Sequence, residues 1–298
     1  MPQRQTGNAM HMARFGMDTV TLTGSLETKL RAMRDAGFAQ VMLWASDLAG
    51  HPAGVAEAVR VVQASGLRVT GLQVLRDFEG LDGAAHACKM DVARELLQMC
   101  RMVAAPLLLV CSSTSTHASG AFAALARDLA SLAAQAAPLG VRIAYEGLSW
   151  GRHVYDLEQA WDVVDLAAHP NLGLVIDAFH LLARETRLDC LAFIPSDKIF
   201  LVQLSDFLWP ALAGDTERMD TARHARVFPG QGVHDGAVAG LVQRLERSGY
   251  HGDFSFEVCH DDYLQLAPAY VAQLAHRAAH WVAGQALARR QPGGPLAP

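Results

Sequence analysis

Short β-forming runs alternate with longer helical segments along almost the whole chain, and eight such runs can be counted. They cover 17–22, 40–44, 68–75, 106–112, 142–146, 172–177, 199–204 and 254–258. Several are almost wholly apolar, such as Leu172-Gly-Leu-Val-Ile-Asp177 and Ile199-Phe-Leu-Val-Gln-Leu204. A half-exposed strand alternates apolar and polar residues. A strand buried on both faces does not, and parallel sheets bury both faces. Between the runs lie amphipathic patterns. One opens at Ser25, carries Leu30 and Met33 and stops at Gly37. Others span 51–65, 83–102, 118–139, 156–167, 236–247 and 266–286, with a weak one at 188–193. Strand–helix alternation of this kind gives an α/β fold with a parallel sheet. Eight strands favour a single closed (β/α)8 barrel over an open doubly wound sheet. No GxGxxG follows the first strand to argue for the open form. The expected organisation is one barrel domain over 15–288, between a flexible leader at 1–14 and a Pro/Gly-rich disordered tail at 289–298.

Composition narrows the function classes. Hydrophobic residues make up 51% of the 298, which excludes a disordered chain. Lys and Arg number 25 against 30 Asp and Glu, a net charge of −5. That balance lacks the footprint of a nucleic-acid binder and repels anionic membranes. No apolar run approaches the roughly 18 residues of a membrane span; the longest, 102–111, contains Pro106. The first residues have no apolar core and do not read as a secretory signal. Cys88, Cys100, Cys111, Cys190 and Cys259 are irregularly spaced without a CxxC pair, and read as reduced, small buried side chains of a cytoplasmic protein. The last helix carries Tyr270, Leu274 and Trp281, which can pack on the barrel or on a second copy in a homo-oligomer.

In a barrel the chemistry gathers where strands end. Strand five ends in Glu146 and strand six in Asp177; strand seven offers Gln203, Ser205 and Asp206, and strand eight Glu257. A buried carboxylate is costly unless paired or bound to metal. One acid at a strand end is commonly a helix cap or an ion-pair partner. Four oxygen donors at corresponding positions of successive strands instead form a cage suited to one divalent ion, Mg²⁺, Mn²⁺ or Co²⁺. With no thiolate pair and no histidine cluster, it does not read as structural zinc. His180 follows Asp177 by one helical turn and is a candidate acid or base near neutral pH, against the plainer reading of a core histidine. His153, in the loop after strand five, is a second candidate. Arg76 ends strand three and can grip a carboxylate, or simply pair with Asp77 or Glu79. Arg226 precedes the stiff turn Phe228-Pro-Gly-Gln-Gly232, which can hold it over the mouth, or it is plain surface charge.

At these residues the sequence resembles the xylose-isomerase-like barrel superfamily of sugar phosphate isomerases and epimerases, and within it the 3-dehydroshikimate dehydratase branch. The resemblance is carried by Arg76-Asp-Phe-Glu-Gly80, Tyr145-Glu-Gly-Leu-Ser-Trp-Gly-Arg-His153, Leu174-Val-Ile-Asp-Ala-Phe-His180, Val202-Gln-Leu-Ser-Asp206, Phe228-Pro-Gly-Gln-Gly232 and Phe254-Ser-Phe-Glu257. It implies a TIM barrel with Glu146, Asp177, Gln203 and Glu257 as divalent-metal ligands. It also implies His180 and His153 as active-site histidines, and Arg76 and Arg226 as substrate contacts. The implied reaction is dehydration of 3-dehydroshikimate to protocatechuate through a metal-stabilised enediolate, on a carboxylated hydroxy-ketone. A ketose or inosose isomerase or epimerase would use the same first step. An endonuclease of the same superfamily would need more histidine ligands. A non-catalytic binding protein on a decayed barrel would not retain the Glu146, Asp177, Gln203, Glu257 and His180 set. Some members carry a second, dioxygenase-like domain, for which this sequence has no further length. The chain departs from the branch at the second strand, where Met42 and Ala45 stand in place of acids, removing negative charge from the mouth.

Overall fold

The computed structural model describes residues 12–287; residues 1–11 of the leader expected at 1–14, residue 288 and the tail expected at 289–298 lie outside the described residues. Eight parallel strands close on themselves in chain order. They are β1 (Phe15–Asp18), β2 (Gln40–Trp44), β3 (Arg68–Leu75), β4 (Leu107–Cys111), β5 (Arg142–Glu146), β6 (Leu172–Asp177), β7 (Ile199–Leu204) and β8 (Phe254–Phe256). The outer layer contains α1 (Leu26–Asp35), α2 (Ala45–Ala49), α3 (Val55–Ala64), α4 (Gly83–Met102) and α5 (Phe122–Ala136), then α6 (Leu157–Ala167), α7 (Ala178–Ala183), α8 (Asp215–His224), α9 (Asp235–Arg247) and α10 (Pro268–Leu287). The (β/α)8 barrel expected from the alternation is the observed fold. No described helix is long and apolar enough to cross a membrane.

β4 (Leu107–Cys111) is one residue shorter at each end than the expected 106–112, and two further strands, β1 and β8, are shorter for one shared reason. Thr21 Oγ1 donates to the Phe256 carbonyl (3.2 Å) and accepts the Val258 N–H (3.0 Å), while Thr19 Oγ1 accepts the Trp44 N–H (2.9 Å). Side-chain hydroxyls thus replace ladder bonds, and the chain leaves β1 in a 3₁₀ turn over Thr19–Thr21. The first strand therefore runs 15–18 rather than 17–22, and the last ends at Phe256 rather than at 258.

Alternation along each strand sorts side chains between two cores. Outward residues such as Met17, Leu43, Val110, Tyr145, Ile176, Leu204 and Phe256 join the large core beneath the helices. Inward residues Met42, Leu107, Leu109, Ala144, Val175 and Leu201 fill the barrel axis with an apolar plug. The departures Met42 and Ala45 are thereby placed: Met42 lies within this plug and Ala45 begins α2.

The helices largely follow the pattern. Ser25 and Asp156 cap α1 and α6. The helix expected from 51 begins at Val55, after Gly54 turns with positive φ, and the one expected at 118–139 is helical from Phe122 to Ala136. The 188–193 segment is a 3₁₀ turn. α8 was not legible, because Asp-Thr-Glu-Arg-Met-Asp-Thr-Ala-Arg-His has no apolar stripe. All five cysteines are free; Cys100, Cys111 and Cys190 are buried as expected, but Cys88 is exposed.

Arg14, grouped with the leader from the sequence, is tied to the barrel floor. Its Nε donates to the Gly252 carbonyl (2.9 Å) and its Nη2 to the Tyr250 carbonyl (3.1 Å), its Nη1 pairs with Glu246, and it lies over the Phe254 ring. Charged hydrogen bonds of this kind contribute about 2 kcal/mol. Arg14→Ala is expected to lower unfolding free energy by about that amount in urea titration; an unchanged midpoint would show these contacts to be idle.

Candidate active site at the mouth of the barrel

The parity that builds the apolar plug also aims the strand-end donors inward. Cys111 pairs in register with Glu146, Asp177 with Gln203, and Gln203 with Ser255. Glu257 follows Phe256 at the same end. Asp18, Glu146, Asp177 and Gln203 are all buried. Glu146, Asp177 and His180 each offer a ligand atom, and the three atoms lie within 4.8 Å of one another.

His180 reaches this group as the sequence predicts. Asp177 Oδ1 accepts the Phe179 N–H (2.8 Å), capping α7 and turning the chain so that the ring returns to the mouth. Its Nε2 stands 3.6 Å from Asp177 Oδ2. Its Nδ1 accepts the Ser149 N–H (3.1 Å) and lies 3.0 Å from Ser149 Oγ. Trp150 and Phe179 pack edge-on against the ring. Burial depresses the imidazole to about 4, outweighing the Asp177 carboxylate, so the ring is neutral at pH 7.

Arg226 sits deeper than expected. It is 4% exposed, and its Nη1 contacts Asp177 Oδ2 (2.7 Å) and Glu257 Oε2 (3.2 Å). Its Nε donates to the Ala222 carbonyl (2.9 Å), and the guanidinium lies over the Phe179 ring. Paired backbone bonds between Asp206 and Val227, and one from Arg226 N–H to the Cys259 carbonyl, hold this segment against β7 and β8. The side chain therefore drops into the mouth as an internal counter-ion rather than standing over it as surface charge. Burial alone would weaken its proton, but Asp177 and Glu257 hold it more tightly than usual. Asp206 faces away from the centre. It binds His234 Nδ1 (2.7 Å), and a Cβ at Gly232 would fall 2.1 Å from its carboxyl carbon, so only glycine closes this turn.

The other predicted residues divide. Arg76 is exposed and lines the cleft above the carboxylates. Its expected acidic neighbours are engaged elsewhere: Asp77 accepts from Thr114, and Glu79 from the Ser113 N–H and the Tyr145 hydroxyl. His153 is not brought into the cleft wall. Leu148 N–H bonds Ser112 Oγ and Arg152 N–H bonds the Ser113 carbonyl, drawing the loop back over β4; His153 Nε2 then meets the Ala118 carbonyl (3.0 Å).

Several site residues escaped the sequence reading. Asp18 was hidden because the first strand was drawn to 22; ended at 18, it leaves a polar residue closing an apolar run, like Asp177. Gln73 and Ser255, which bond to it, are inward polar residues inside otherwise apolar strands. Arg223 joins Arg76 in the cleft wall from the helix that had no legible stripe. Trp44 and Trp150 complete the wall of a cleft of about 600 Å³, counting space open to solvent.

The electrostatics suit a cation. Glu146 is pushed up to about 8 by burial first and by Asp177 and Glu257 next; burial likewise raises Glu257, and burial and Glu257 raise Asp18. Glu146 Oε1 and Gln203 Oε1 are buried without a hydrogen-bond partner. Orphaned buried oxygens beside crowded carboxylates are the donor chemistry of a hard divalent ion, and Glu146, Asp177, Gln203 and Glu257 could hold one. Glu257 is drawn toward Arg226 in this arrangement, whereas His180 joins the Glu146–Asp177 group.

Residues 30–289 match the family described as a xylose isomerase-like TIM barrel. The chain is 39% identical over 245 residues to a 3-dehydroshikimate dehydratase of Pseudomonas aeruginosa, an alignment covering 82% of this chain and 38% of the relative. This sequence thus spans about two-fifths of that relative's length. An inosose isomerase of Bacillus velezensis is 25% identical over 207 residues, covering 67% of this chain and 70% of that protein. A solved xylose isomerase-like TIM barrel/4-hydroxyphenylpyruvate dioxygenase fusion protein superposes with a TM-score of 0.86 at 33% identity, over 93% of this chain and 43% of the other.

Because the folded protein keeps a proton on Glu146 that the unfolded chain has lost, stability falls as pH rises from about 4.5 through about 8; Glu79, raised to about 7 chiefly by burial, acts in the same sense. Chelator-treated protein is expected to melt at a lower temperature near pH 8.5 than near pH 5.5, with the drop reduced in Glu146→Gln. A melting temperature that does not fall over this range would contradict the buried proton.

Proposed function

The chain belongs to the xylose isomerase-like TIM barrel family, and on that premise we propose that it is a divalent-metal-dependent lyase that dehydrates 3-dehydroshikimate to protocatechuate. The observation that carries this reading is the pair Arg76 and Arg223. Both line the cleft beside the buried carboxylates, and neither has an ion-pair partner among the described residues. Uncommitted guanidiniums above an oxygen-rich centre fit a substrate with a carboxylate at one end and oxygen ligands at the other. The similarity to the Pseudomonas dehydratase supports the same choice.

The substrate has a ketone at C3, hydroxyls at C4 and C5, and a ring carboxylate. A divalent ion held by Glu146, Asp177, Gln203 and Glu257 would supply Lewis-acid polarisation of the ketone. Arg76 and Arg223 grip the carboxylate and set the ring's orientation. His180 moves the proton. For Nε2 to act as base the neutral ring must carry its proton on Nδ1, where Ser149 Oγ at 3.0 Å accepts it once the Ser149 N–H, the present donor to Nδ1, turns aside. Nε2 then removes the C4 proton, which is acidic because it lies α to the ketone. The electron pair of the C4–H bond forms the C4–C5 double bond as the C5–O bond breaks. His180 returns its proton to the departing hydroxyl, so water leaves, and tautomerisation gives the aromatic product. Asp177 Oδ2 stands beside the transient imidazolium. Trp44, Leu148 and Trp150 limit water at the reacting carbons. His153, bound to the Ala118 carbonyl, takes no part in this scheme, and Arg226 acts as counter-ion rather than as a direct substrate contact.

A second reading is favoured by Met42, which puts a thioether on the barrel axis where the branch has an acid. An inosose or ketose isomerase or epimerase would remove the same α-proton and return it to carbon instead of expelling water. Metal-stripped protein reloaded with Mn²⁺ and given 3-dehydroshikimate is expected to produce the ultraviolet absorbance of protocatechuate. Bound Mn²⁺ without product would overturn the dehydratase reading and make inososes the substrates to try. His180→Ala is expected to cut turnover by roughly 10²- to 10⁴-fold while Mn²⁺ affinity holds. Near-normal turnover would remove His180 from proton transfer, and a parallel loss of Mn²⁺ would make it a ligand.

A further inference from the structure

Gln203 is the one neutral member of the proposed ligand set, and an amide can turn either end to a cation. Only its carbonyl oxygen can bind one. In the structure Gln203 Oε1 is buried and unpartnered, and both hydrogens of Nε2 have acceptors. One goes to Asp18 Oδ2 at 2.6 Å and the other to Gln73 Oε1 at 3.4 Å. The same Asp18 oxygen accepts the Gln73 amide at 3.2 Å, and its other oxygen accepts the Ser255 hydroxyl. Turning the Gln203 amide over would set its carbonyl oxygen against a carboxylate oxygen and point its NH₂ at the crowded acids.

We propose that Asp18 is a positioning residue that locks the amide of Gln203 with its carbonyl oxygen facing the cation site. Barrel closure makes the lock, since Asp18 lies 185 residues from Gln203 and meets it only because β1 closes against β8, the neighbour of β7. Ser255 and Gln73 hold Asp18 in turn, through its Oδ1 and Oδ2 respectively. The same residue leaves a carboxylate next to Met42, its register neighbour on β2.

The proposal rests on the divalent-metal reading above, and Mn²⁺ titrated into the chelated full chain by calorimetry tests both separately. Asp18→Ala, or Asp18→Leu should the alanine variant fail to fold, is expected to weaken Mn²⁺ binding by roughly 10- to 100-fold. Asp18→Asn keeps an acceptor for both amides while losing the charge, and is expected to bind close to wild type. Adding Gln203→Ala to Asp18→Ala is expected to cost little more than either change alone. With Co²⁺ as probe, Asp18→Ala and Gln203→Ala should shift the visible absorption alike, with Asp18→Asn matching wild type. Wild-type Mn²⁺ affinity in Asp18→Ala overturns the lock and leaves the metal reading standing. Asp18→Asn falling as far as Asp18→Ala also overturns it, because charge rather than orientation would then be the cause. A wild-type chain that takes up no Mn²⁺ overturns the metal reading and this proposal with it.

Discussion

The contact between Arg226 and the paired carboxylates of Asp177 and Glu257 sets the terms for everything around the mouth. Four acids, Asp18, Glu146, Asp177 and Glu257, converge at one end of the barrel, and Arg226 is the cation buried among them. Charges taken out of water are tolerable only when paired and hydrogen-bonded. The scaffold meets that need with backbone bonds that hold 226–227 across the ends of β7 and β8, and with the Phe179 ring beneath the guanidinium. What one guanidinium leaves uncompensated appears as raised carboxyl affinities for protons and as orphaned oxygens on Glu146 and Gln203. Those residual demands are what make the mouth a place for a cation.

The rest of the barrel keeps this polar patch from spreading. Below it the axis is filled by Met42, Leu107, Leu109, Ala144, Val175 and Leu201, so the charged layer rests on an apolar floor. Above it the cleft walls combine tryptophans with Arg76 and Arg223, giving an opening that is apolar at the sides and cationic at the rim. The inward polar residues between floor and rim, Gln73, Gln203 and Ser255, are neutral and bond to Asp18.

Much of this was legible before the fold was known. The bounds 40–44, 68–75, 142–146, 172–177 and 199–204 are those of β2, β3, β5, β6 and β7, because each is a short β-forming run set off from the helical patterns beside it; in β5 and β6 the run closes on Glu146 and Asp177. The return of His180 followed from a capping aspartate one helical turn before it. Other features were not legible. β1 ends early because Thr19 and Thr21 bond sideways to β2 and β8, a long-range event with no local signature, and Asp18 was overlooked with it. His153 turns toward Ala118 because Ser112 and Ser113 draw its loop back over β4. α8 is stabilised without an apolar stripe, so hydrophobic periodicity had nothing to report.

The sequence by itself determined the fold class and the facing of the strand-end residues in β5, β6 and β7. A two-residue period leaves no choice about which side chains share a face, so Glu146, Asp177 and Gln203 were bound for the axis once their strands were recognised. Only the tertiary structure decided who meets whom at the mouth. Closing β1 onto β8 brings Asp18 to Gln203 and Ser255, and the antiparallel contact of Val227 with Asp206 drops Arg226 between Asp177 and Glu257. These encounters join residues far apart in the chain, and their energies depend on burial and on the charges nearby, neither of which a local pattern records.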